Sequence, residues 1–236
     1  LGTFEPLAPG YRFGGTLHPN QQGINCGILA VSSAFLCRGA RSRRGRVLGG
    51  LLLVVAISAI GLTRSRTALA AVILALLFFF LALEAAPLRR ISLASGAAAA
   101  IALLALLSAN GILPVSPRAF LLAREDSSLA TLTGRTDICS YALRRAADRP
   151  LTGYGYNSFW GRRHTAEVSQ LVDWKISEGH SAYLDTLLNL GAVGLLLFAG
   201  LLVLAMVVAA ARFVAHGDAA YAAAAALVAF AALDGL

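Results

Sequence analysis

Charge is scarce in this chain. Of 236 residues only 14% are charged, and among the 20 basic ones Lys175 is the single lysine. A soluble domain carries about 25% charged and roughly 45–50% apolar residues. Here 58% are hydrophobic and the mean hydropathy is +0.71, which excludes a soluble domain and reads as an integral membrane protein. Cysteine is scarce too. Cys26 and Cys37 stand eleven positions apart in one apolar run, about 16 Å along a helix and too far for a disulfide. Cys139 has no other cysteine in its segment. No disulfide framework and no metal-ligand spacing can be read from them. The opening stretch LGTFEPLAPGYRFGG lacks the basic start and apolar run of a signal peptide. Leu1 in place of Met and an end at Asp-Gly-Leu after an apolar run lead us to expect a piece of a longer membrane protein. The formal charge of +8 raises the question of an anionic partner, but the composition and the placement of the arginines exclude a nucleic-acid binder.

What the chain has in plenty is apolar runs: Gln22 to Cys37, Val47 to Thr63, Thr67 to Leu83, Ile91 to Leu113, Leu190 to Ala211 and Ala219 to Leu233. Each approaches the twenty or so residues that a helix needs to cross about 30 Å of hydrocarbon. The expected fold is therefore all-α and integral to the membrane, with about six transmembrane helices. Four precede residue 113, the segment 114–186 is a long connection, and 187–236 carries the last two. Arg38, Arg41, Arg43, Arg44 and Arg46 follow the first run, Arg89 and Arg90 the third, and Arg212 the fifth. With alternating helices these share one side, which the positive-inside rule makes cytoplasmic. The opposite face then receives the N-terminal segment, the turn Thr63-Arg64-Ser65-Arg66-Thr67, and the long connection with nine basic residues, eight acidic ones and both tryptophans. A connection of this length is a functional element or a domain of its own. Thr133 to Asp137 offer N-cap candidates for a short amphipathic helix, ICSYALRRAADR, ended by Pro150. Gly153-Tyr154-Gly155-Tyr156-Asn157 reads as a turn or open loop. A new helix starts near Gly179 with Tyr183, Leu184, Leu187 and Leu188 on one face, and Gly191 and Gly194 mark its passage into the fifth run.

Several residues are candidates for chemistry, each with a plainer alternative. Arg64 and Arg66 near an interface either snorkel to water and lipid phosphate or present a bidentate fork to a lipid-linked pyrophosphate. His180 opens a helix whose positive end disfavours imidazolium, which makes it a neutral proton acceptor or else a surface cap. His164, beside Arg162 and Arg163, reads as a solvated loop residue. His18 precedes Pro19-Asn20 as a cap or a substrate contact. Arg135, at the front of the loop helix, would combine with backbone N–H groups as an anion site, or is a chance triplet in Gly134-Arg135-Thr136. Arg12 is a ligand of the substrate or a partner of Glu5. Arg144 and Arg145 read as a solvated or headgroup-facing pair. Tyr154, Tyr156, Trp160 and Trp174 either stack on sugar rings or anchor the loop in the interface.

The order of these features resembles the O-antigen ligase and polymerase superfamily. It comprises Arg12-Phe-Gly-Gly-Thr-Leu-His-Pro-Asn20, a membrane-edge Ser65-Arg66-Thr67, Gly134-Arg135 early in the long loop, Gly-Tyr-Gly-Tyr in its middle, and Gly179-His-Ser-Ala-Tyr-Leu-Asp-Thr-Leu-Leu-Asn-Leu-Gly-Ala-Val-Gly194 running into a helix. The resemblance covers most of the chain. It implies a GT-C-like glycosyltransferase with around a dozen membrane helices, the missing ones mainly before Leu1, in the bacterial inner membrane with the large loop periplasmic. The implied reaction moves a glycan from undecaprenyl pyrophosphate to a hydroxyl of lipid A-core or of a growing polysaccharide, in lipopolysaccharide or exopolysaccharide biosynthesis, without metal or cofactor. By the same resemblance Arg66 and Arg135 hold the pyrophosphate and His180 takes the acceptor proton; Arg64, Arg12, Tyr154, Tyr156 and Trp160 are the candidate substrate contacts. The family often has Asn after this histidine, where Ser181 stands here. Transfer to protein within the same superfamily is one rival, and a transporter is another. Transport predicts polar groups inside several helices, and here only Asn25, Ser32, Ser33, Ser58 and Ser95 lie toward the interiors.

Overall fold

The computed structural model describes residues 11–15, 17–84, 127–172 and 181–235. Seven helices and no strands occur among them: α1 (Pro19–Gly39), α2 (Arg43–Thr63), α3 (Arg66–Glu84), α4 (Ser127–Asp148), α5 (Arg162–Val172), α6 (Ala182–His216) and α7 (Ala219–Asp234). The chain divides into two compact units, one formed by Leu1–Ala99 with Leu202–Asp234, the other by Ala100–Leu201 with Gly235–Leu236.

Five of the six apolar runs are helical, and the run Ile91 to Leu113 lies outside the described residues. By length and composition, α2, α3 and α6 can each cross a membrane. At 16 residues, α7 reaches about 24 Å and falls short of the hydrocarbon thickness. Both α2 and α3 are longer than their apolar runs, with 21 and 19 residues. Arg43, Arg44 and Arg46 belong to α2, and Arg66 is the first residue of α3. Backbone hydrogen bonding does not stop where hydrophobicity does.

In the first unit the core is built from small residues. Ala30 and Ala34 of α1, Ala56 of α2, Ala71 and Ala75 of α3, and Ala222 and Ala226 of α7 surround Val31, Ile60, Val72, Phe79, Phe213 and Phe230. Small side chains let membrane helices approach closely, and dispersion contacts then hold them where no hydrophobic drive operates. Arg38 at the end of α1 pairs with Glu84 at the end of α3, 2.8 Å apart. This places the ends of α1 and α3 side by side. All three cysteines are free thiols.

In the second unit, α4 and α5 lie in the long connection. The 22-residue α4 starts at Ser127, so Thr133 to Thr136 are interior, not caps. Glycine in a helix interior costs about 1 kcal/mol, and the helix absorbs Gly134. The reading of Arg135 as part of a helix-start anion site is thereby corrected. In the third turn its backbone N–H is spent within the helix. At the start of α6 the expected face is buried: Tyr183, Leu184, Leu187 and Leu188 are all in the core.

Candidate functional site

At one end of the first unit, the N-terminal segment is tied to the turn between α2 and α3. The Phe13 N–H donates to the Leu62 carbonyl at 2.9 Å, and Arg12 Nε donates to the Thr63 carbonyl at 3.1 Å. Arg12 Nη2 also donates to Asn20 Oδ1 at 2.5 Å. Two of its donors thus serve the end of α2 and the start of α1, where a cation satisfies exposed carbonyls. His18 caps α1, its Nδ1 accepting from the Asn20 N–H at 3.3 Å, with Pro19 in the first turn. The turn itself is made by Arg64 in the left-handed region, φ 50°, a conformation costing a non-glycine residue about 1–2 kcal/mol. Hydroxyls brace it. Thr63 Oγ1 donates to the Ile60 carbonyl at 2.7 Å and accepts the Ser65 N–H at 3.2 Å. Thr63 and Ser65 are buried, while Arg64 and Arg66 are half-buried. Arg12, Arg64 and Arg66 therefore gather around one braced turn, at the end of α3 remote from Glu84.

In the second unit, the Gly-Tyr-Gly-Tyr segment is locked into a break in α6. Gly191 adopts φ 67°, ψ −167° inside that helix, which frees carbonyls that an unbroken helix would use. The Tyr154 N–H donates to the Leu188 carbonyl at 2.9 Å and the Gly155 N–H to the Asn189 carbonyl at 2.8 Å. In return, the Ala192 N–H donates to the Pro150 carbonyl at 2.7 Å and the Val193 N–H to the Leu151 carbonyl at 3.3 Å. The expected open loop is thus non-helical, but it is docked. Its aromatics are divided. Tyr154 donates through its hydroxyl to the Arg145 carbonyl at 3.0 Å and lies under the Arg149 guanidinium. Trp160 Nε1 donates to Asp185 Oδ1 at 2.6 Å, and Tyr156 is 85% exposed.

Beside this loop, Tyr141 and Arg145 of α4 meet His164 and Glu167 of α5. The Glu167 carboxylate accepts from the Tyr141 hydroxyl, from Arg145 at 3.2 Å and from Arg163 at 3.1 Å. The one Tyr141 proton goes to Glu167, so His164 Nδ1, 2.9 Å from the same oxygen, must be the donor of their bond. The His164 ring stacks on Phe159 at 4.5 Å. His164 is therefore no solvated loop residue, and Arg145 no free surface cation. Sequence reasoning missed this cluster because it missed α5. The signals were an Arg163–Glu167 pair at helical spacing and apolar Val168 one turn after His164.

The Tyr141 hydroxyl, then Arg163 and Arg145, hold the Glu167 carboxyl down at about 2 from its usual 4.5, against the opposing effect of burial. A depressed folded pKa means a stabilising contribution present above pH 4.5 and lost as pH falls toward 2. Glu167 is one third exposed, so screening keeps the contribution modest. We expect hydrogen-exchange protection across α4 and α5 to fall over that window and the Glu167→Gln variant to lose the slope. A variant with the wild-type slope would remove Glu167 from the account.

Of the remaining candidates, Arg135 lies on α4, and His180 and Trp174 lie outside the described residues. A family model described as O-antigen ligase matches residues 51–199. The chain belongs to the O-antigen ligase family. Membership makes it part of an integral membrane family of ligase-type enzymes in polysaccharide biosynthesis. The match runs from within α2 to within α6, so Arg64, Arg66, Arg135, Tyr154, Tyr156, Trp160 and His180 fall inside the O-antigen ligase segment, whereas Arg12 precedes it. No curated protein and no solved structure matches the chain.

Proposed function

We propose that the protein transfers a glycan from undecaprenyl pyrophosphate to an acceptor hydroxyl, on lipid A-core or a growing polysaccharide, at the outer face of the bacterial inner membrane. The observation that carries this reading is the braced turn where Arg12, Arg64 and Arg66 gather, in a chain of the O-antigen ligase family. Guanidinium forks match phosphate oxygens bidentately. In the reaction the acceptor oxygen attacks the anomeric carbon of the donor sugar, and the bond from that carbon to the pyrophosphate oxygen breaks. Its electrons leave as charge on undecaprenyl pyrophosphate. Arg66 and Arg135 neutralise that charge as it develops, His180 takes the acceptor proton, and no metal is needed. The exposed Tyr156 offers an aromatic face to the sugars, with Tyr154 and Trp160 flanking it in the same segment.

The test is glycan transfer by the full-length protein in reconstituted membranes. A hydrogen bond to a charged partner is worth about 1.5–3 kcal/mol, or roughly 10–100-fold in rate. Arg66→Gln should slow transfer by about 100-fold. Arg66→Lys, which keeps the charge and loses the fork, should slow it by about tenfold. Transfer by Arg66→Gln at the wild-type rate would remove the pyrophosphate role.

A further inference from the structure

Eight arginines, from Arg12 to Arg66, lie between Glu5 and Glu84, and not one acidic residue does. Among the described residues, Arg38 pairs with the Glu84 carboxylate. Arg41, Arg43, Arg44 and Arg46 are exposed and have no ionic partner among the described residues. The positive-inside rule accounts for their side of the membrane, not for the shape they border. Arg43 and Arg44 open α2, and their stems with Val47, Leu48 and Leu51 line an open, almost wholly apolar groove. Below it the exposed apolar stripe continues through Val54 and Val55. The Ser42 cap accounts for the Gly45 and Arg46 N–H groups. The N–H groups of Arg43 and Arg44 are the open positions of the first helical turn.

Two guanidiniums and two first-turn N–H groups, at the positive end of a helix dipole, make a site for a phosphate. The aliphatic stripe running down from them extends that site in the direction of a hydrocarbon chain. We propose that the start of α2 binds one anionic phospholipid from the leaflet on the Arg38–Glu84 side. Its phosphate sits between Arg43 and Arg44, and an acyl chain lies along Val47, Leu51 and Val54. A free phosphate would use the rim alone, and a zwitterionic lipid would bring its own cation against the arginines. Charge complementarity and the continuity of rim with stripe select the anionic lipid.

Native mass spectrometry of the full-length protein in detergent tests this. The lipids added are phosphatidylglycerol, cardiolipin or phosphatidylethanolamine with the same acyl chains, and inorganic phosphate is the competitor. We expect a one-lipid adduct at least tenfold favoured for the anionic lipids, lost in R43Q/R44Q and kept in R41Q/R46Q, which removes the same charge. Equal retention by R43Q/R44Q, equal loss in R41Q/R46Q, or displacement of the lipid by millimolar phosphate would each overturn the site. Independently of any variant, an anionic lipid with a photoreactive acyl chain should label residues 47–55 of the wild-type protein. Labelling confined to other segments would overturn it equally.

Discussion

Replacing His180 with alanine is expected to slow glycan transfer about a thousandfold while leaving retention of the lipid-linked donor nearly unchanged. A positioned general base contributes roughly 10²–10⁴-fold, and in the proposed mechanism its loss falls on the chemical step, because there the arginines and not the imidazole hold the phosphates. Ser181, the next residue, accepts the Leu184 N–H through its hydroxyl at 3.4 Å and donates to the Gly235 carbonyl at 3.4 Å. The Ala182 N–H donates to the same carbonyl at 2.8 Å. Ser181 is thus the cap of α6. Asn at this place would be an equally strong cap. The measurement is single-turnover transfer of a lipid-linked glycan by the full-length protein, with donor binding followed separately. Near-normal transfer would sink the base assignment. Lost binding with an unchanged chemical step would shift His180 to substrate holding.

Gly191→Ala is expected to destabilise the second unit by about 3–5 kcal/mol. Its backbone angles, φ 67° and ψ −167°, lie in a region open essentially to glycine alone, with a strain of order 1–3 kcal/mol for other residues. A Cβ there would also stand 2.3 Å from the Leu151 carbonyl carbon and oxygen and 2.5 Å from the Thr152 nitrogen. These are backbone atoms, so no rotamer change relieves the overlap. From the other side, a Cβ on Gly153, φ 65°, would meet the Leu188 carbonyl oxygen and the Gly191 nitrogen at 2.6 Å. Accommodation means pulling the loop out of the break and losing backbone hydrogen bonds worth about 1 kcal/mol each. Gly200→Ala is the control, since nothing lies within 4 Å of that position and alanine favours a helix by about 0.5–1 kcal/mol. Protease susceptibility of residues 150–160 and unfolding in detergent report the difference. Equal behaviour of the two variants would show the interlock to be inconsequential.

How far these features were legible in the sequence depends on whether a local pattern or a distant partner decides them. Length and hydrophobicity suffice for α2, α3 and α6, and period alone places Tyr183, Leu184, Leu187 and Leu188 on one buried face. The non-helical character of residues 153–157 was legible from alternating glycines. The start of α4 was not, because Thr133, Gly134 and Thr136 look like cap residues, and propensity is a weak prior against continued backbone hydrogen bonding. The role of Arg12 was also hidden, because its acceptors, Thr63 and Asn20, lie in different elements. Gly191 was legible as a boundary, but the Pro150–Gly155 segment that fits its break was not.

The splint across that break bears on the order in which the chain is made. Residues 150–155 leave the ribosome 34 to 42 residues before their partners at 188–193, so the loop is already present when the helix that must break around it is synthesised. Closing a loop of that length costs little more than closing a shorter one, since the entropy grows only as the logarithm of length. The bend in α6 is thus imposed by an earlier part of the chain and not written into the helix alone.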